Sequence, residues 1–482
     1  MNENDSSTAR RSGTRRNPPR ARRRRIPRRK ALRQKRKETT SKGWLKRDNE
    51  RRRNLRKSRG DFKRIKKHVF GLFSRGEVDE LARKTGFYKR CPRQIPAFEF
   101  AVCCALASLV EAKRGFASVW RMLSAAAGIN VARSAVTQRF GAGSAAMMAE
   151  LFDRAVERLP QWGMENPELY GKLDQFHRVL ADDGCVVRLS PLLGKMFPAT
   201  RTNKVDAALK VHARADLVHR FVVDVVVTGE RGSERDVARD YEVQPDTLYV
   251  RDLGYTCYDD FAAIVEQGGH VLMRLKDDAN PTVVHVRHGV RAPRSSEGMK
   301  LNDVDLTMCH DTFDIDAQFR TSAGPAVFRV VGHYNDETDK YHCYLTDLPA
   351  DEFSVEELET LYSLRWVIEL LFKLLKSSCH LDHVDTSDPE SMRTHIYASL
   401  LASIILSSVV VAASEAYGVP AYEISMLTVG IAAPLIVLPL LFMWLERRLT
   451  YDELSAMILR VVSHGCHDQN PGRTRRKWGA LS

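Results

Sequence analysis

One stretch of the chain decides how its fold is interpreted: Leu361-Tyr362-Ser363-Leu364-Arg365-Trp366-Val367-Ile368-Glu369-Leu370-Leu371-Phe372-Lys373-Leu374-Leu375-Lys376. It contains no Pro or Gly, and its apolar residues recur with the helical period of about 100° per residue. One face is then aliphatic, and the opposite face carries Tyr362, Arg365, Glu369 and Lys376. The pattern predicts an amphipathic helix. Periodicity alone also allows an ordinary surface helix in which Glu369 pairs with Lys373 four residues later.

The spacing of the polar residues, Tyr-x2-Arg-x3-Glu-x6-Lys, is more specific than the periodicity. Four fixed residues at this spacing arise by chance in only about one of several hundred chains of this size. The segment resembles the signature helix of the insertion sequence 4 family of bacterial transposases, and the resemblance runs from roughly residue 73 to residue 449. It implies that Glu369 is the third metal-binding carboxylate. It also implies DNA phosphate contacts near the cut by Tyr362, Arg365 and Lys376, with Lys373 beside them.

Two aspartates fit the other carboxylate positions that the resemblance implies. Asp183 lies in a short apolar segment typical of a strand and is followed by a small residue. Asp252 stands in the sequence Asp-x-Gly-Tyr after a second such segment. Asp182 competes with Asp183 for the first position. Cys185 and Leu253 stand where the family often has Ser or Thr and Arg, but neither change replaces a carboxylate.

The chemistry itself explains why carboxylates are needed. Cutting a phosphodiester and joining its 3′-hydroxyl to another strand requires an activated nucleophile and a stabilised leaving oxygen. Two Mg2+ ions about 3.5–4 Å apart supply both. Because Mg2+ prefers hard oxygen ligands, we expect Asp183, Asp252 and Glu369 to converge and hold Mg2+, with Mn2+ as a substitute.

The rest of the chain predicts an α/β fold. Segments rich in Val and aromatic residues predict strands at 179–180, 185–189, 207–211, 221–227, 247–250, 327–331 and 341–345. Helical patterning is found at 98–109, 145–159 and 258–267. Together with the resemblance, these elements predict a ribonuclease H-like catalytic core with a β-rich insertion, plus helical N-terminal and C-terminal regions.

Six segments are expected from this organisation. They are a basic disordered arm at 1–68, a helical DNA-binding domain at 69–170, the core's first part at 171–281, the β-rich insertion at 282–346, the core's second part with the signature helix at 347–397, and a C-terminal helical region at 398–482. Within the second segment, residues 118–140 have the pattern of a helix-turn-helix, with a turn at Gly128 and Ser134 as the N-cap of the second helix.

Charge is concentrated in the arm. Residues 1–70 hold 29 Lys and Arg against 6 Asp and Glu, while the remaining 412 residues hold 46 against 54. So dense a positive charge with few apolar residues predicts a segment that does not fold alone and binds a polyanion. A solubilising tail and an acidic membrane surface are the alternatives, and nucleic acid is the expected partner.

Two other patterns have competing interpretations. The apolar stretches 398–413 and 424–445 are compatible with membrane spans, but the first is shorter than the roughly 20 residues needed and the second contains Pro434 and Pro439, so buried core helices are expected. Zinc-like ligands occur as Cys379-His380-x2-His383 and as His464-x-Cys466-His467. Neither has the spacing of a standard zinc finger.

The combined expectation is a transposase that performs cut-and-paste transposition. The resemblance implies cleavage at transposon ends through a hairpin intermediate, then strand transfer into target DNA. The expected partners are double-stranded DNA at the element's ends and at the target, with a homodimer in the DNA complex and no membrane. The expected location is the bacterial cytoplasm, on the nucleoid when bound to DNA. A catalytically inactive or domesticated DNA-binding protein is the main alternative, and a membrane-associated protein is a third.

Overall fold

Nine strands form one mixed sheet in the computed structural model, in the order β3-β2-β1-β4-β5-β9-β8-β7-β6. The strands are β1 (Arg178–Arg188), β2 (Ala208–Asp216), β3 (Phe221–Gly229), β4 (Thr247–Arg251), β5 (His270–Arg274), β6 (Thr282–His288), β7 (Thr312–Thr321), β8 (Gly324–Asn335) and β9 (Lys340–Thr346). Pairing is parallel between β1, β4 and β5 and antiparallel elsewhere. This is an α/β protein with a large mixed sheet.

The structure describes residues 61–444, interrupted at 90–93, 111–114, 126, 128, 130, 160–170, 201–205, 292, 305, 307–311, 336–339, 383, 385 and 420, together with residues 450–452, 455 and 459. Most of the predicted arm, Gly128 of the predicted helix-turn-helix, and four of the zinc-like ligands lie outside these residues. Those four are His383, His464, Cys466 and His467.

Helices precede, interleave and follow the strands. Those before the sheet are α1 (Asp61–Ile65, continued by a π turn over Lys66–Phe70), α2 (Arg75–Lys84), α3 (Ala97–Val110), α4 (Phe116–Ala125), α5 (Arg133–Thr137) and α6 (Ala142–Arg158). Those within and after it are α7 (Glu234–Asp240), α8 (Tyr258–Glu266), α9 (Pro293–Ser296), α10 (Val355–Tyr362), α11 (Trp366–Ser377), α12 (Pro389–Tyr417), α13 (Met426–Ile431) and α14 (Ala433–Trp444).

The predicted strands are present, but β1 is longer than expected. The sequence predicted strand segments at 179–180 and 185–189 and placed Asp183 on a strand, without joining the two segments into one. Instead, β1 runs without a break from Arg178 to Arg188, and both aspartates lie inside it, paired with β2. Because side chains of successive strand residues point to opposite faces, this continuity separates the two aspartates.

The β-rich insertion is part of the same sheet. Its strand β9 pairs with β5 through Leu272 and Thr346, so the block 282–346 extends the core sheet along that edge. It is also not purely β, because the four-residue helix α9 lies within it. A second hydrophobic cluster, between α8 and the strands from β5 to β9, packs beneath this extension.

One hydrophobic core joins the N-terminal helices, the sheet and the C-terminal helices. Helix α12 is its centre and packs against both α3 and α6. The predicted boundary at 397/398 therefore falls inside a 29-residue helix, and the predicted boundary at 68 falls inside the π turn after α1, where His68 and Val69 are buried. Residues Ile65, His68 and Val69, which lie in the predicted arm or at its end, are therefore helical and buried in the core.

Helix α12 is long and apolar enough to cross a membrane, but 89% of its most apolar window is buried inside the protein. The prediction of a buried core helix at 398–413 is confirmed. Stretch 424–445 is divided between α13 and α14 and has Ile436, Val437 and Leu440 in the core.

The helix-turn-helix prediction needs one correction. Helices α4 and α5 are both present, but the N-cap of α5 is Ala132 and has no side-chain cap bond, so Ser134 is inside the helix. Helix α5 has only five residues. Among the zinc-like ligands that the structure describes, Cys379 is buried in the core and His380 hydrogen-bonds through Nδ1 to the Ser108 carbonyl at 2.8 Å.

Candidate functional site

The signature segment forms two helices joined by a tighter turn. Helix α10 ends at Tyr362, a 3-10 turn covers Ser363–Arg365, and α11 begins at Trp366. The predicted aliphatic face is buried, at Leu364, Val367, Ile368, Leu371, Leu374 and Leu375. With this face buried, the opposite, polar face of the segment lies beside the end of β4, where Tyr362 contacts Asp252.

Asp182 is enclosed by two arginines. It is 4% exposed and accepts hydrogen bonds from Arg214 of β2, at 2.7 Å from Nε, and from Arg251 of β4, at 3.2 Å. Burial alone would raise the pKa of Asp182, but the two guanidinium charges outweigh burial and hold the pKa below its usual range. Both carboxylate oxygens of Asp182 therefore accept hydrogen bonds from buried arginines.

Asp183 has a different environment on the other face of β1. Its Oδ1 accepts a hydrogen bond from the Gly184 N–H at 2.8 Å. Burial raises the pKa of Asp183 to about 6, and the carboxylates of Glu234 and Asp252 add to that rise, against the Gly184 N–H and the Arg365 charge. Of the two neighbouring aspartates, Asp183 is the one that has another carboxylate of the predicted set within electrostatic reach.

Asp252 lies directly after β4, at the start of a short 3-10 turn. The Tyr362 hydroxyl donates to its Oδ1 at 3.3 Å, which connects the end of β4 to the end of α10. Burial raises the pKa of Tyr362 to about 12, and the charge of Asp252 contributes to that rise. Tyr362 therefore remains a neutral donor at physiological pH.

Arg365 connects the third carboxylate to the other two. Its guanidinium donates to Oε1 of Glu369 at 2.6 Å, one helical turn later. Burial would lower the pKa of Arg365, but this bond and the charge of Asp252 raise it overall. Since Arg365 also interacts electrostatically with Asp183, this one cation interacts with all three predicted carboxylates. The alternative pair of Glu369 with Lys373 is not formed.

The two predicted lysine contacts differ from each other. The Lys376 ammonium donates to the Val186 carbonyl of β1 at 2.9 Å, so it fastens α11 to the strand that carries Asp183. Lys373, one turn earlier, is exposed. Of these two lysines, Lys376 is bound within the protein and Lys373 is exposed to solvent.

Residues 174–405 match the family model described as the transposase DDE domain, and this range includes Asp183, Asp252 and Glu369. The transposase for insertion sequence element IS231F of Bacillus thuringiensis subsp. israelensis is 22% identical over 370 residues, which cover 69% of this chain and 76% of that protein. This chain is a DNA transposase. A putative transposase, InsL, for insertion sequence element IS186A of Escherichia coli (strain K12) is 42% identical over 82 residues, 17% of this chain and 22% of that protein.

Among solved structures, this chain is similar to a chain in the cryo-EM structure of the piggyBac transposase synaptic complex with hairpin DNA. The TM-score is 0.44 and the sequence identity is 9%, over 85% of each chain.

Transposases with a DDE domain generally use divalent metal ions. Among the residues that the structure describes, no group of three or more His, Cys, Asp or Glu side chains is packed closely enough to hold such an ion as it stands. The donor chemistry nevertheless fits. Asp183, Asp252 and Glu369 each have one oxygen engaged, and in the described part of the chain their second oxygens accept no hydrogen bond.

Three residues near the site were missed by sequence reasoning. Arg214 and Arg251 bind Asp182, and Glu234, the first residue of α7, lies beside Gly184. Arginines inside strands give no sequence signal of burial. For Glu234, the signal was Ser233, whose side chain caps α7 and so fixes where the helix starts.

Proposed function

We propose that this transposase belongs to the insertion sequence 4 family and cuts and rejoins DNA at a site formed by Asp183, Asp252 and Glu369. The observation that supports the proposal is the position of Arg365, which bonds to Glu369 and interacts electrostatically with both aspartates. The proposal is that these carboxylates, which come from a strand, a strand end and a helix, converge to hold metal ions, as a phosphodiester-cleaving metal site requires.

The strand order supports a ribonuclease H-like core. Strands β3, β2 and β1 pair antiparallel, β1, β4 and β5 pair parallel, and the crossovers after β3 and β4 contain α7 and α8. The candidate carboxylates then lie on the central strand, at the end of its parallel neighbour, and on a helix after the sheet. The strands β6 to β9 are the insertion into this core.

Mg2+ ions held by Asp183, Asp252 and Glu369, with Mn2+ as a substitute, would activate the attacking oxygen and stabilise the leaving one. The chain's own residues prepare for this. Tyr362 orients Asp252 by donating to one of its oxygens, and the Gly184 N–H does the same for Asp183. Arg365 keeps Glu369 in place, and a ligand role for Glu369 competes with this ion pair.

Arg365, Tyr362, Lys376 and Lys373 are proposed to contact DNA phosphates near the cut. The guanidinium of the arginine, the ammonium groups of the two lysines and the tyrosine hydroxyl all donate hydrogen bonds, and phosphate oxygens accept them. Lys376 must leave the Val186 carbonyl to do so. Lys373 is exposed, so its ammonium is accessible to a phosphate.

The partners proposed are double-stranded DNA, at the ends of the element and at the target, and a second copy of the chain in the DNA complex. Residues 1–60 carry 25 of the 75 Lys and Arg and only 5 of the 60 Asp and Glu, so their charge favours contact with the DNA backbone. We place the protein in the bacterial cytoplasm, on the nucleoid when it is bound to DNA.

The test of the proposal is Glu369→Gln, which removes a metal ligand's charge with little change of shape. Cleavage of a duplex carrying the element's ends in Mg2+ should fall below detection, while DNA binding in a gel shift should remain close to that of the wild type. Glu356→Gln is the matched control, because Glu356 is exposed on the preceding helix α10. It should leave both cleavage and binding unchanged.

Undiminished cleavage by Glu369→Gln would overturn the role proposed for Glu369. A wild-type chain that binds the element's ends but does not cut them in either Mg2+ or Mn2+ would instead favour the alternative, an inactive or domesticated DNA-binding protein.

A further inference from the structure

Arg274 is the last residue of β5, and it lies level with Asp252. The parallel register pairs Arg251 of β4 with Met273 of β5. The next residue of each segment is Asp252, whose backbone is extended, and Arg274. Because level residues of parallel strands point to the same face of a sheet, the side chains of Asp252 and Arg274 are neighbours on one face.

The register between β1 and β4 extends this row to Asp183. Leu180 pairs with Tyr249, and Asp183 and Asp252 each lie three residues further along their segments. Asp183 is therefore level with Asp252 and points to the same face. Across the three parallel strands the order is Asp183, Asp252 and Arg274, so an arginine follows the two candidate metal ligands in the same row.

Two tyrosines connect Arg274 to the signature segment. Arg274 pairs with Tyr344 of β9, whose ring lies 4.9 Å from the ring of Tyr362. Burial raises the pKa of both tyrosines, and the positive charge of Arg274 opposes that rise. Since the Tyr362 hydroxyl donates to Asp252, Arg274 borders the pair formed by Tyr362 and Asp252.

The guanidinium of Arg274 forms no hydrogen bond or ion pair with any residue that the structure describes, although its Nε is buried. Other arginines of the sheet differ in this respect. Arg214, Arg251 and Arg329 each bind a buried carboxylate. A buried donor without an acceptor costs free energy, so packing alone does not account for an arginine at position 274. A ligand with anionic oxygens would satisfy it.

We propose that Arg274 binds a phosphate of the DNA strand that is cut, on the side of Asp252 away from Asp183. The inference rests on the proposed function, because it concerns the DNA held at that site. A guanidinium donates from several N–H groups in one plane and can bind two phosphate oxygens at once. Arg365 is already bonded to Glu369, whereas Arg274 has no such bond in the described part of the chain. Its role would be to position the DNA.

The test measures binding of the full-length protein to an end duplex in which the phosphates near the cut are replaced, one at a time, by neutral methylphosphonates. In the wild type, one replacement should weaken binding through the loss of the Arg274 contact. Arg274→Gln should lower the slope of log K against log salt by about 1. In this variant the same replacement should have no further effect, because the contact is already lost. Arg274→Lys, which keeps the charge, should restore part of both.

Arg294→Gln is the matched control, because Arg294 is exposed on α9. It should keep the wild-type slope and the wild-type response to each methylphosphonate. Urea unfolding separates DNA binding from a structural role, and Arg274→Gln should unfold at the same urea concentration as the wild type. A wild-type methylphosphonate response in Arg274→Gln would overturn the assignment. So would a loss of binding that is accompanied by a lower unfolding midpoint and is not restored by Arg274→Lys.

Cleavage by the wild type keeps this inference distinct from the proposed function. If the wild type cuts the end duplex in Mg2+ while Arg274→Gln responds to every methylphosphonate as the wild type does, only the assignment of Arg274 is wrong. If the wild type binds the duplex but cuts it in neither Mg2+ nor Mn2+, the proposed function is wrong. The methylphosphonate response of Arg274→Gln then still decides whether Arg274 binds a phosphate.

Discussion

Arg251 donates to Asp182 at 3.2 Å in the interior of the sheet, and each of these two residues directly precedes a candidate metal ligand. Asp183 follows Asp182 on β1, and Asp252 follows Arg251 at the end of β4. The buried ion pair therefore joins β1 to the end of β4 directly beside the two candidate site aspartates. Arg214, bonded to the same carboxylate, extends the arrangement to β2.

Asp182→Asn should strongly destabilise the protein, because two buried guanidinium groups would lose the charge that compensates them. Breaking a buried pair in this way costs about 3–5 kcal/mol. Urea denaturation followed by tryptophan fluorescence would measure the loss. Asp183→Asn is the control, since Asp183 has no arginine bond and faces other carboxylates; its free energy of unfolding should not fall. Equal stability of the two variants would contradict the enclosed position of Asp182.

Glu77 should make stability depend on acidity. It closes a capping box with Ser74 at the start of α2 and is bonded to Arg158 at the end of α6. The Arg158 bond lowers the pKa of Glu77 to about 2 from its ordinary value of 4.5. Because the folded-state pKa is depressed, the stabilisation is fully present above about pH 4.5 and is lost as the pH falls toward 2.

Glu77→Gln should therefore lower the free energy of unfolding by roughly 2 kcal/mol at pH 7, and the difference from the wild type should shrink between pH 4.5 and 2. Thermal or urea unfolding across this range checks both values. Glu80→Gln, an exposed change on the same helix, should stay within about 0.5 kcal/mol of the wild type. A difference at Glu77 that does not depend on pH would show that its charge is unimportant.

The two lysines of the signature helix should respond differently to substitution. Lys373→Met should lower the slope of log K against log salt by about 1, as expected for one phosphate contact, and leave stability unchanged. Lys376→Met should also lower the free energy of unfolding, because its ammonium bonds to the Val186 carbonyl. Salt titrations of DNA binding and urea denaturation of both variants would test this. A stability loss confined to Lys373→Met would reverse the assignment.

Periodicity made parts of this structure predictable. The buried face of α11 follows from a repeat of about 100° per residue, and strands such as β3 and β4 follow from runs of Val and aromatic residues. Other parts depend on contacts between distant segments. Arg214 and Arg251 bind Asp182 and not Asp183, and they reach Asp182 only because β2 and β4 flank β1.

The same reason explains why the insertion was expected as a separate block. Its pairing with the core is made by β9 and β5, and nothing local in either strand specifies that partner. The approach of Glu234 to Gly184, fifty residues earlier in the chain, has no local signal either. Local patterns predict elements, whereas these relationships arise only when the sheet is assembled.

Deleting residues 1–60 should weaken DNA binding on all sequences alike and flatten its dependence on salt. These residues hold 25 Lys and Arg against 5 Asp and Glu, and the rest of the chain holds 50 against 55, so most of the excess positive charge is removed. Phosphate contacts release counterions and carry no base information. The measurement is log K against log salt for both proteins on an end duplex and a random duplex. Equal slopes would show that this segment does not touch phosphate, and a loss limited to the end duplex would make it a specific reader.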